Sequence, residues 1–339
     1  MLGTFRFFLA LMVVVTHMFY PYWFGHYAVF GFFIISGYLM TMVVNKKYSG
    51  SIEMTLRFFL NRIVRIYPLY LIALVLSVAV ILYVGEDVSS SFNVALVLPS
   101  SANEWFLNFV LIGMNHDFTS RLVPPAWALG NELFFYFLIG IGISKNKHLS
   151  SVWLGMSLLI LLYSLVFSLG FKFRYFTLFA ASLPFSIGAV IYHYYDKFSL
   201  LANKVSYKLV IAVSIYVFIA PVLILIVDAG TFLYLFFDPH GFVLYLNLIL
   251  MIFLFVKLND LKVTGSLKKV DVLLGGISYP IYLFHWIVGL FISYVLWGES
   301  VRPSLLLLIL TAFFTIIFSL IFYYCVEKPL ENLRSRIRG

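Results

Sequence analysis

An all-α, polytopic membrane bundle of about ten spanning helices is the fold class that the sequence predicts, and three observations predict it. The 339-residue chain is 63% hydrophobic and only 11% charged, where soluble domains carry roughly 25% charged residues. The apolar residues gather in runs long enough to cross a hydrocarbon core of about 30 Å. The basic residues gather between the runs: with the N-terminus inside, 19 of the 23 Lys and Arg fall in cytoplasmic segments, and only Arg121, Lys172, Arg174 and Arg302 fall outside. That bias sets the orientation by the positive-inside rule and makes both termini cytoplasmic. It also accounts for the net charge of +9 without invoking nucleic acid. The single Cys325 excludes an internal disulfide framework, and no H-x-x-x-H or C-x-x-C spacing indicates a metal.

The spans are expected at 6–21, 25–44, 66–84, 126–143, 151–170, 175–194, 207–227, 241–257, 274–296 and 304–325, and residues 1–339 read as one membrane domain. The first carries Arg6 and His17. Eleven helical positions make just over three whole turns, so the two share a face, about 16 Å apart along the axis. Taking the helix to start at the inner surface puts His17 near mid-membrane. An ionisable side chain at that depth is costly unless it faces a polar interior, and the alternative is a core His bonded to a neighbouring helix. No small-residue cleavage site follows the run, so it reads as a retained span and not a signal peptide.

In the second span, Gly31-Phe32-Phe33-Ile34-Ile35-Ser36-Gly37-Tyr38 reads as a packing motif, since small residues let helices approach closely. A nucleophilic Ser36 is the lesser alternative. Asn61-Arg62-Ile63-Val64-Arg65 opens the third span. Arg62 and Arg65 are neighbours on one helix face, and guanidinium groups grip phosphate in two-pronged fashion; alternatively they are topology-setting charges. The outer segment 85–125 holds two apolar pieces, 92–98 and 105–114, each too short to span and expected to be re-entrant or interfacial.

The fourth span starts at Pro124-Pro125, a good helix opening. Glu132 follows about seven residues in, roughly 10 Å deep, with Tyr136 on its face. A membrane carboxylate is functional by default, and the alternative is a structural pair to another span. The fifth to eighth spans carry little chemistry. In the ninth, Tyr279, Tyr282 and His285 recur every three residues; His285 either lines the same cavity or bonds a backbone carbonyl beside Pro280. The tenth ends on Glu327-Lys328-Pro329, with Arg334, Arg336 and Arg338 behind. Glu327 is expected to pair with a cytoplasmic Arg, and the arginines to anchor anionic lipid headgroups. Trp105, Trp127 and Trp297 are placed to stack on sugar rings or to sit at the interface.

Together the motifs resemble the acyltransferase-3 family of bacterial membrane acyltransferases. Arg6 and His17 match the family's basic residue, ten positions and His. Phe32 to Tyr38 match its F-F-x-x-S-G-[FY], Arg62 to Tyr70 its R-x-x-R-I-x-P-x-Y, and Trp127 to Tyr136 its W-S-L-x-x-E-x-x-F-Y. Ile277 to His285 match its I-S-Y-x-x-Y-L-x-H, and Glu327 with Pro329 its E-x-P. Asn61 stands where the family often adds another base, and Ala126 and Ala128 stand where Thr or Ser is usual.

The resemblance implies a multi-pass protein of the bacterial inner membrane, of the stand-alone type without a fused esterase-like domain. It would move an acyl group, commonly acetyl, from acyl-coenzyme A to a hydroxyl of a cell-surface glycan or lipid-linked sugar, with no metal. Arg62, Arg65 and Arg6 would then hold the coenzyme's phosphates, and His17 would act as general base. Glu132 would orient His17 or assist the acceptor, and Tyr136, Tyr279, Tyr282, His285 and Trp127 would line the cavity. The rival readings are a transporter or flippase for a lipid-linked sugar, which uses buried charges equally well, and an acyl relay through His17 or Ser36.

Overall fold

The computed structural model describes residues 1–19, 23–48, 50–114, 117, 120–226 and 238–338. The expected span ends at 20–21 and 227, and the Arg338 side chain, lie outside the described residues. Among the described residues the chain is helical, with no β-strand.

The helices are α1 (Leu2–Met18), α2 (Trp23–Lys47), α3 (Ile52–Val84), α4 (Glu86–Phe92), α5 (Ala102–Val110), α6 (Ala126–Gly140), α7 (Lys147–Val166) and α8 (Phe171–Phe176). They continue with α9 (Leu178–His193), α10 (Tyr195–Lys204), α11 (Tyr207–Ile226), α12 (Phe242–Asp260), α13 (Gly265–Trp297) and α14 (Leu305–Phe322). A π-helical turn (Tyr323–Glu327) then leads into α15 (Lys328–Arg338).

Among the described residues, six helices are long and apolar enough to cross a membrane: α2, α3, α7, α12, α13 and the run from Leu305 to Ile337. A seventh span results if α10 and α11, bent by 91°, count as one. Length and apolarity therefore do not reach the expected ten. Three expected spans fall on the shorter helices α1, α6 and α9, of 17, 15 and 16 residues. Each covers only about 22–26 Å at helical rise. Each packs against longer helices: α1 on α2 and α13, α6 on α2 and α3, and α9 on α2 and α7.

Helix starts follow from local chemistry. Ser51, Ser101, Asn146, Thr177 and Ser304 each accept the backbone N–H three residues on, a cap worth about 1 kcal/mol. Lateral packing follows from glycine. α1 lies against α13 because Gly3 meets Gly275: a Cβ on Gly3 would stand 1.8 Å from the Asp271 carbonyl oxygen. The Met1 ammonium donates to the Leu258 carbonyl at 2.7 Å, and the Thr4 hydroxyl to Asp271 Oδ1 at 2.8 Å.

α2 crosses α9 at Gly37 and Gly188, where an added Cβ would stand 2.2 Å from the Phe185 and Ile34 carbonyl oxygens respectively. The second-span motif is thus the close helix contact expected of it. Because the obstacle at Gly37 is backbone, Gly37→Leu is expected to cost more than the usual 1–3 kcal/mol of overpacking. It should abolish monodisperse behaviour in detergent. Gly155→Ala, with nothing within 4 Å of the new carbon, should leave the elution profile unchanged; a normal profile for Gly37→Leu would refute the contact.

Both termini lie at one end of the bundle. α1 starts beside Leu258 and Gly275, and Asn61 near the start of α3 donates to the Arg334 carbonyl at 2.9 Å. The described residues of segment 85–125 lie at the opposite end, beginning where α3 stops. Its two apolar pieces fold as short helices and turns held to α3: Tyr67 donates to the Val110 carbonyl and Tyr70 to the Asn108 carbonyl. The buried Asn108 is the hub, donating to Glu104 and Ser120 and accepting from the Leu122 N–H at 3.0 Å. Leu111 reaches α6 at Gly130, where an added Cβ would stand 2.7 Å from the Leu111 carbonyl oxygen.

Candidate functional site

Between the helices lies a cavity of about 680 Å³. Asp271 to Tyr282 on α13 and Val29 to Met40 on α2 form two walls, each about 16 Å long at helical rise. α6 adds Ala128, Leu129, Glu132 and Tyr136, α3 adds Arg62, Arg65 and Ile66, and α1 adds Gly3 and Arg6. The cavity opens at the terminal end between Lys328, Glu331 and Asn332, all exposed.

The open end is cationic. Arg65 is tied to the buried Glu327, delivered by the π-helical turn, and its guanidinium lies 5.5 Å from the Tyr279 ring centre. The expected pairing of Glu327 with an arginine is therefore present. The buried Arg62 has only neutral hydrogen-bond partners: it donates to Asn61 Oδ1 and to Met40 Sδ at 3.3 Å, and stands over the Phe58 ring. Its Nε has no hydrogen-bond partner. Among the described residues neither Arg62 nor Arg6 makes an ion pair. A buried cation without a carboxylate is costly, and an entering anion would offset that cost. Asn61 links Arg62 to the C-terminal helix through the Arg334 carbonyl.

Further in, Glu132 is the organising group. Its Oε1 accepts from Ser36 at 2.6 Å and from Tyr136 one helical turn along. It is also within electrostatic reach of Arg6 and Arg62. Tyr279 donates to the Ile66 carbonyl at 2.8 Å and Tyr282 to the Pro125 carbonyl at 3.1 Å, which fixes both rings in the wall.

The histidines stand past that wall. α1 ends at Met18, whose carbonyl accepts from the Ser304 N–H at the start of α14. His17 is thus in the last turn of α1, beside the interior of α13, where His285 stands twelve residues before the end of that helix. Its ring stacks on His285 at 5.3 Å and 13°, and lies 4.8 Å from the Trp286 ring. His285 is fully buried; its Nδ1 lies 3.2 Å from the Ile281 carbonyl, and its Nε2 has no hydrogen-bond partner. Of the two alternatives for His285, the backbone bond is the one formed. Tyr282 separates this pair from the cavity, with its ring 6.4 Å from His285.

The structure thus gathers Arg6, Arg62, Arg65, Glu132, Tyr136, Tyr279 and Tyr282 around one cavity. It leaves His17 and His285 one layer beyond, and joins Glu132 to Ser36 and Tyr136 where a contact with His17 was expected. Trp127 is not in the wall either: it packs in an aromatic cluster, 5.4 Å from Tyr175 and 4.8 Å from Phe176. Ser36 is a cavity residue as well as a neighbour of the packing glycine.

Arg334 is a correction. It is only 9% exposed and lines the cavity mouth, so it does not face lipid as a headgroup anchor. The spacing of Glu327, Glu331 and Arg334, four and three positions apart, puts them on one helix face. That signal was available in the sequence.

A family model described as an acyltransferase domain (acyltransferase 3) matches residues 2–324. No curated protein and no solved structure matches the chain.

Proposed function

Because the chain belongs to the acyltransferase-3 family of membrane acyltransferases, we propose that it moves an acyl group, acetyl by preference, from acyl-coenzyme A to a hydroxyl of a cell-surface glycan or lipid-linked sugar. The observation that carries this reading is the cavity itself. One end holds Arg6 and Arg62 without carboxylate partners, and the other ends at Tyr282, one helical turn from His285. A donor with phosphates at one end and a thioester at the tip of a long flexible arm fits that polarity. The phosphates meet Arg6, Arg62 and Arg65 at the mouth, on the cytoplasmic side by the charge bias of the loops. The arm follows the walls of α2 and α13, and the thioester arrives at Tyr282, where release of the ring's hydrogen bond to the Pro125 carbonyl opens the way to His17.

Neutral His17 takes the proton of the acceptor hydroxyl as its oxygen attacks the thioester carbonyl. The tetrahedral intermediate collapses with expulsion of the coenzyme thiolate, which takes the proton from the His17 imidazolium, so coenzyme A leaves as the thiol and His17 is neutral again. The acceptor enters from the end where segment 85–125 lies, beside Trp127 and its aromatic cluster. Glu132 braces Tyr136 and Ser36 and balances the charge of Arg6 and Arg62, which keeps the polar lining ordered. The protein needs no metal for this chemistry.

The test is coenzyme A release by the detergent-purified protein given acetyl-coenzyme A, with thermal protection by coenzyme A measured alongside. Release or protection supports the donor. Neither would favour the transporter or flippase reading, to be followed by flux of a lipid-linked sugar in vesicles.

One observation favours a second reading. The Ser36 hydroxyl bonded to Glu132 is the arrangement of a nucleophile beside a base, and suits an acyl-serine relay. Direct transfer predicts that Ser36→Ala keeps turnover within about 10²-fold, the range of a lost hydrogen bond to a charged group. It also predicts that no acyl-protein accumulates when the acceptor is withheld. A trapped ester on Ser36 by mass spectrometry would establish the relay instead.

A further inference from the structure

The family match stops at residue 324, yet the cavity does not. Lys328, Glu331, Asn332 and Arg334, all on α15, complete its mouth. Arg334 is held in place twice: its carbonyl accepts from Asn61 Nδ2 at 2.9 Å, and its Nη1 donates to Glu331 Oε2 at 2.6 Å. Arg334 repels Arg6, Arg62 and Arg65, and Arg65 also repels Arg6 and Arg62. Like charges gathered around one cavity oppose each other's ionisation and each other's burial. Of the carboxylates nearby, Glu327 serves Arg65, and Glu331 is half exposed, able to swing from Arg334 into water.

We propose that Arg334, with Lys328 beside it at the mouth, binds a phosphate of the coenzyme donor, so that the C-terminal helix is part of the donor site. This deepens the donor reading above and rests on it. Coenzyme A carries two separated phosphate groups, a diphosphate on the arm and a 3′-phosphate on the ribose. The chain offers two cationic tiers to match them. Arg6, Arg62 and Arg65 form the inner tier, closer to the acyl end, and meet the diphosphate. Arg334 and Lys328 form the outer tier and meet the 3′-phosphate, with Arg334 exchanging Glu331 for it. Arginine suits this role because its planar fork pairs two donors with two phosphate oxygens.

The experiment compares three donors on the full chain: acetyl-coenzyme A, its analogue lacking the 3′-phosphate, and acetyl-pantetheine, which lacks both phosphate groups. Arg334→Gln is expected to raise KM for acetyl-coenzyme A by about 10-fold or more, the range of a charge-assisted hydrogen bond, with kcat little changed. The same variant should leave KM for acetyl-pantetheine unaltered. The wild-type preference for the 3′-phosphate over its absence should shrink by the same factor. Arg334→Lys should restore part of the affinity, and the exposed Lys328→Gln, which carries little folding risk, should show a smaller rise.

Equal losses on acetyl-pantetheine would mean a structural role for Arg334 and overturn the proposal. So would a wild type that uses acetyl-coenzyme A and the analogue equally well; in that case acyl transfer itself would stand. A wild type that releases thiol from none of the three donors would overturn the donor reading and this proposal together.

Discussion

Replacing His17 by alanine is expected to lower acceptor-dependent release of coenzyme A by about 10²- to 10⁴-fold, the range spanned by a general base. The loss should fall on kcat, because His17 touches none of the groups assigned to the donor's phosphates and lies one layer past the cavity wall. Protection of the variant by coenzyme A against heat should therefore match that of the wild type. Alanine also removes a ring stacked on His285 and packed against Trp286, so a packing defect must be separated from a chemical one. His17→Gln does this: it keeps much of the volume and can donate and accept hydrogen bonds, but it cannot take a proton at neutral pH. If His17→Gln turns over near the wild-type rate, His17 is a structural histidine and another group is the base.

The second large effect is expected at Glu132. Glu132→Ala removes the acceptor for two hydroxyls, on Ser36 and Tyr136. It also removes a negative charge within reach of Arg6 and Arg62. Each hydroxyl left without a partner costs about 1–3 kcal/mol where water cannot replace the acceptor, and part of that cost is relieved because the cavity is open at one end. The variant is expected to lose stability measurably and to lose about 10²-fold in activity, as two released hydroxyls disorder the lining at a cost of roughly 3 kcal/mol together.

Glu132→Gln separates the two effects. Its amide oxygen still accepts from both hydroxyls, so the thermal midpoint should stay near that of the wild type. The charge is gone, so a loss of about 10-fold or more should remain, since one factor of ten needs only about 1.4 kcal/mol. Full activity in Glu132→Gln would show that the carboxylate acts by shape alone.

These two residues also measure how far the sequence could be read. The carboxylate in an apolar run and the arginine–histidine pair on one face of the first helix were both legible, since each depends only on hydropathy and helical phase within one segment. So were the paired arginines of Arg62 to Arg65 and the tyrosines spaced by three, and all of them except His17 line the cavity or its mouth. The contact between His17 and Glu132 was inferred from depth counted along each helix from its own surface. It did not form, because depth says nothing about which neighbour a helix faces. Ser36 was placed in a packing motif, which it occupies, but its bond to Glu132 crosses between helices ninety-six positions apart in the chain.

The sequence by itself determined that this chain is an all-helical, multi-pass membrane protein, and its ordered motifs identified the family that residues 2–324 match. Hydrophobic run length, charge between runs and local spacing carry that information, and none of them requires knowing how helices pack. Only the tertiary structure decided the composition of the site: that His17 pairs with His285 behind Tyr282, that Glu132 is held by Ser36 and Tyr136, and that Arg334 turns into the cavity mouth. Those outcomes are set by close backbone contacts such as Gly3 on Gly275 and Gly37 on Gly188, which fix the lateral position and rotation of each helix. In a bilayer the apolar faces are nearly equivalent to one another and to lipid, so it is packing between distant segments that selects which polar faces meet.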